Sequence, residues 1–95
     1  METIIDLQSD THFMSEALRM AARAYEADEV PIGAVVVREG RVIARAYNQV
    51  ELLKDGTAHA EMLAITQAEA ALGDWRLTDC DLFVTKGVVL CDTSG

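Results

Sequence analysis

Basic residues are scarce in this chain: eight Lys and Arg stand against sixteen Asp and Glu, for a net charge of −8. That sign is wrong for a surface that grips phosphates through Lys and Arg, so any nucleic-acid contact has to be local or borrowed. Arg38, Arg41 and Arg45 are the clustered cations. They flank a predicted hairpin and read as a solvated turn with exposed strand positions. Cysteine is equally sparse, only Cys80 and Cys91. The first ten residues carry three acids and no base, which is not the positive start of a secretory signal. The two thiols are therefore expected to be reduced, and the chain cytoplasmic. No apolar run approaches the roughly eighteen residues that span a bilayer, so no membrane role is expected. Repeats and low-complexity stretches are missing as well. What is present is 95 residues, 51% of them hydrophobic. That suits one small domain over residues 1–95.

Over residues 11–27 the apolar positions Met14, Ala17, Leu18, Ala21, Ala24 and Tyr25 recur at helical spacing, with Asp10 placed to cap the start. The single proline, Pro31, stops this helix, because proline disfavours α geometry in the residue before it. Residues 32–37 and 42–47 read as two strands. The turn Arg38-Glu39-Gly40-Arg41 joins them as an antiparallel hairpin. Residues 50–56, polar and ending in Asp55-Gly56, read as a surface loop. A second helix is expected from about Thr57 to Leu72, with Met62, Leu63, Ile65 and Leu72 as its large apolar groups and Gly73 as its stop. Leu82-Phe83-Val84 is apolar at consecutive positions, the mark of a strand covered on both faces. The predicted order is α-β-β-α-β.

One short segment, Thr57-Ala58-His59-Ala60-Glu61, concentrates reactive groups at a helix start. Adding water to an unreactive carbon at neutral pH calls for a metal that acidifies the water and a group that shuttles protons. In the first helical turn the positive dipole end favours a neutral, metal-binding imidazole at His59. Residues two apart on a helix point to different sides, so Glu61 suits proton transfer rather than ligation of the same metal. The pattern His-x-Glu is weak alone. Its setting is specific: Glu29-Val30-Pro31-Ile32-Gly33-Ala34-Val35-Val36-Val37, then Ala46-Tyr47-Asn48, then the His59 box, then Leu82-Phe83-Val84-Thr85, in that order.

In these segments the chain resembles the bacterial tRNA-specific adenosine deaminases of the cytidine deaminase-like zinc deaminase superfamily, over residues 11–86. The resemblance implies a three-layer α/β/α fold, of which this chain carries the N-terminal part. It implies hydrolytic deamination of adenosine to inosine at the tRNA wobble position, with one Zn2+ per subunit, the tRNA anticodon arm as partner and a homodimer as the full-length form. It assigns His59 as zinc ligand, Glu61 as the catalytic group that activates water and relays protons, and Asn48 as a hydrogen-bonding contact to the flipped base. Pro31, Ile32 and Gly33 match a segment whose backbone lies near the site, and a strand start with a close-packed glycine accounts for them equally well.

The chain departs from that family after Lys86. A Glu-Pro-Cys-x-x-Cys segment is expected there, with its cysteines where this chain has Val89 and Asp92. Cys91 stands one position early, and a one-residue slip redirects a side chain, so ligation by Cys91 would need local rebuilding. Residues 87–95 form an atypical tail that reads as a frame slip or truncation, leaving the outer edge of the last strand open. On this reading the chain itself is inactive. Two other readings stay open: a deaminase of free nucleobases or nucleosides such as guanine or cytosine, and a non-catalytic deaminase fragment.

Overall fold

The computed structural model describes the backbone of residues 2–85 and 87–91 and the side chains of residues 10–85. The elements run α1 (Glu2–Glu26), β1 (Gly33–Arg38), β2 (Arg41–Tyr47), α2 (Val50–Leu53), α3 (Ala60–Leu72), β3 (Cys80–Val84) and β4 (Gly87–Cys91). The strands form one sheet in the order β2-β1-β3-β4, with every neighbouring pair antiparallel. Helices cover both faces. Ala60, Ala64 and Ala68 of α3 pack with Ala34, Val36, Leu82 and Val84 on one side, and Phe13 of α1 packs with Val35, Val37 and Phe83 on the other. Alternation along each strand thus serves two cores, and the expected α/β/α layering is what the structure contains.

Three sequence expectations need correcting in detail. Asp10 lies inside α1 rather than capping it, since residues 2–9 hold neither glycine nor proline to stop the helix extending. The buried face of α1 is Phe13, Ala17, Met20, Ala21 and Ala24, while Leu18 and Tyr25 are exposed, so the apolar stripe is rotated from the one the spacing suggested. Residues 50–53 form the short helix α2 instead of a loop, closed by Lys54 in the left-handed region. In α3 Ala60, Ala64 and Ala68 are buried, as small side chains that permit a close approach to the sheet should be, while Met62 is exposed.

Two close approaches explain these choices. A Cβ on Gly33 would overlap the Ala17 carbonyl oxygen and the Ala21 nitrogen and lie 2.6 Å from Met20 Cβ. Only glycine lets α1 sit this near β1. On the opposite face the methyl-sized alanines let α3 come close to the sheet, with Leu63, Ile65 and Leu72 packed beside them and Met62 turned outward. The hairpin tip places both Glu39 and Gly40 at positive φ, the arrangement of a two-residue primed turn. Beyond β3, residues 87–91 pair with it from Val84↔Gly87 to Cys80↔Cys91, so the outer edge expected to be open is occupied by β4.

Candidate functional site

Three strand ends converge at one margin of the sheet. Asn48, directly after β2, donates its backbone N–H to the Ile32 carbonyl at 3.0 Å, and Thr85, directly after β3, donates to the Gly33 carbonyl at 3.2 Å. The start of β1 is held between them. Gln49 then donates to the Ala58 carbonyl at 2.9 Å. Because Gln49 follows Asn48 and Ala58 precedes His59, this bond brings the predicted base contact and the predicted metal ligand to the same margin, although ten residues separate them.

Asn48 is 2% exposed, and its side-chain oxygen is buried without a hydrogen-bond partner. A buried acceptor left unpaired costs about 1–3 kcal/mol, and such groups are rare in native folds. His59 occupies the N-cap of α3 in an extended conformation, φ −78 and ψ 151, rather than the first helical turn expected from sequence. Its imidazole makes no capping hydrogen bond. It is exposed, between buried Ala58 and Ala60, so the ring is free to bind something other than its own helix. Glu61 is half-buried in the first turn of α3, where the helix dipole favours a carboxylate.

The approach to His59 is locally fixed. One oxygen of Asp55 accepts both the Thr57 N–H at 2.9 Å and the Thr57 hydroxyl at 2.7 Å. The hydroxyl bond first, and the backbone bond with it, hold the Asp55 carboxyl below its ordinary value. Ala58 donates back to the Asp55 carbonyl at 3.0 Å, completing the turn. Asp-x-Thr is an Asx-turn pattern that the sequence offered and a loop reading overlooks. Glu29 is the second overlooked residue. Its buried carboxylate accepts the backbone N–H groups of Glu51 at 3.0 Å and Leu52 at 2.6 Å. No local pattern announces a contact that spans 22 residues or more.

A catalytic zinc site takes three protein ligands and a water. Among the described residues no three His, Cys, Asp or Glu side chains stand close enough to hold a metal. Cys80 is buried, at the end of β3 away from Val84, where burial pushes its thiol up. The Cα of Cys91 pairs with that of Cys80, four strand residues, or about 13 Å, from the margin that carries Asn48. The Cys91 side chain and residues 92–95 lie outside the described residues. The described residues therefore do not complete a three-ligand zinc site.

Residues 7–90 match the cytidine and deoxycytidylate deaminase zinc-binding region. The tRNA-specific adenosine deaminase of Aquifex aeolicus is 54% identical over 81 residues, which are 84% of this chain and 54% of that protein. A structure from a study of A-to-I editing by tRNA:A34 deaminases at the wobble position of transfer RNA superposes with a TM-score of 0.76 at 57% identity, covering 78% of this chain and 57% of that one. Guanine deaminase from Bacillus subtilis superposes with a TM-score of 0.75 at 39% identity, covering 78% of this chain and 48% of that one. The chain spans about half the length of these proteins.

Proposed function

The chain belongs to the cytidine and deoxycytidylate deaminase zinc-binding family, and we propose that it carries the base-holding and proton-handling half of a tRNA adenosine deaminase site. The observation that carries this reading is the buried Asn48 oxygen with no partner, at the margin shared with His59. An amide there can accept a hydrogen bond from a base or ribose lifted out of a nucleic-acid strand, repaying the cost of its burial. Glu61 would carry one proton of the attacking water to the ring nitrogen and the second, from the hydroxyl so added, to the amine, which leaves as ammonia. His59 is the one zinc ligand the described residues supply. In this family the metal provides the acidified water, and the two further ligands it needs are not among them. Acting alone, the chain is expected to be catalytically silent.

The wobble adenosine of a tRNA anticodon arm is the substrate this reading favours, since the Aquifex aeolicus relative is a tRNA-specific adenosine deaminase and the 57%-identical structure comes from work on A-to-I editing at the wobble position. The likeness to guanine deaminase favours a second reading, in which the same margin receives a free purine. Side-chain amide NMR separates the two. An anticodon stem-loop with adenosine at the wobble position, in low salt, is expected to shift the Asn48 side-chain amide signals more than free guanine at equal concentration. The reverse order selects the free-purine reading, and no shift with either removes both.

A further inference from the structure

Among the described residues two polar side chains are buried, Asn48 and Glu29, and both belong to the same corner of the fold. Asn48 has an acceptor to spare, whereas both carboxylate oxygens of Glu29 are occupied, by the N–H groups of Glu51 and Leu52. Those N–H groups open α2, a helix of four residues with none of them buried. One turn of helix has no stability of its own in water. Leu52 and Leu53 are exposed and only Val50 is partly buried, so little hydrophobic packing holds the turn down, and its N-cap, Gln49, makes no side-chain capping bond. Glu29 supplies the missing cap from a distance.

Glu29 is itself anchored. Its backbone N–H donates to the Ala24 carbonyl at 2.9 Å at the end of α1, next to Asp28 in the left-handed region. Its carboxylate thus connects the end of α1 to the start of α2, and through Gln49 to Asn48 and Ala58. A buried carboxylate is costly unless it is hydrogen-bonded. These two charge-assisted bonds make its burial tolerable and at the same time fix the backbone they accept from.

We propose that Glu29 is a positioning residue: its carboxylate holds the segment from Asn48 to His59 in place through α2, and so aims the Asn48 amide. The consequence for base binding rests on the reading of Asn48 given above, while the effect on the segment does not.

The test uses the 95-residue chain and the variants Glu29→Ala and Glu29→Gln. Amide hydrogen exchange in the free protein is expected to quicken at Gln49, Glu51 and Leu52 by about tenfold or more in Glu29→Ala, as loss of bonds to a charged acceptor implies. Val35 and Val36 should be unchanged. Glu29→Gln, which keeps one accepting oxygen, should fall between wild type and Glu29→Ala. The Asn48 side-chain shift produced by the adenosine stem-loop should shrink in the same order. Unchanged exchange at Gln49, or a uniform increase that includes Val35 and Val36, overturns the proposal. A wild-type chain that shows no stem-loop shift removes the Asn48 reading and leaves the exchange result to decide the role of Glu29.

Discussion

Gln49 donates its backbone N–H to the carbonyl oxygen of Ala58 at 2.9 Å, closing the segment that leaves β2 at Asn48 and enters α3 at His59. One peptide bond on either side of this contact stands a residue proposed to touch substrate or metal. The site is thus built around a backbone hydrogen bond and needs no contact between the two side chains. Substitutions can separate what the segment does for folding from what its side chains do for binding.

Asn48→Ala should abolish the shifts that the adenosine stem-loop causes at the backbone amides of Gln49 and His59 while leaving stability within about 1 kcal/mol of wild type. The variant loses packing atoms but also removes a buried acceptor without a partner, and the two effects oppose each other. Urea unfolding beside the NMR titration checks both halves. A loss of several kcal/mol would show that the amide is a structural group.

Gly33→Ala should be severe for so small a change. The added methyl meets α1 backbone at Ala17 and Ala21, which cannot swing aside as a side-chain tip can. Overpacking of this kind costs about 1–3 kcal/mol or more. Urea titration measures it, and a neutral result would mean that α1 sits farther from β1.

Phe83→Ala should cost about 3–5 kcal/mol, the usual range for emptying a buried aromatic site. Phe83 is 2% exposed and packs with its ring centroid 5.4 Å from that of Phe13. Only the α1 face of the sheet loses packing. A fall in the urea midpoint checks this, and a cost under about 1 kcal/mol would contradict the two-faced core.

Asp55 should titrate below the ordinary aspartate value, because both of its bonds from Thr57 favour the charged carboxylate. A carboxyl whose folded value is depressed supports the fold fully above its unfolded value and loses that support as pH falls through the folded one. The Thr57 amide shift, followed into acid, should therefore have its midpoint below the ordinary value, and Asp55→Asn should flatten the curve. A midpoint at or above the ordinary value would mean that the turn is not closed in solution.

The layered fold was legible because its signals are local: the apolar run at Leu82-Phe83-Val84, the Glu39-Gly40 turn and the Pro31 stop each act within a few residues. The errors came where tertiary packing decides. Which apolar positions of α1 face the sheet depends on how that helix packs, and it buries Phe13 and Met20 while leaving Leu18 and Tyr25 exposed. His59 and Asn48 were visible as a pattern with its neighbours, and the structure brings them to one margin through the Gln49 bond. Glu29 was not, because its partners are backbone N–H groups 22 and 23 residues away. Backbone donors carry no sequence identity.

The most direct test of the account is a nuclear Overhauser measurement on the 15N-labelled chain with an adenosine-bearing anticodon stem-loop. Contacts between the Asn48 side-chain amide protons and the adenine ring protons are expected. Contacts of the ring confined to Arg38, Arg41 and Arg45, or no contact with Asn48 while the stem-loop is bound, would contradict it.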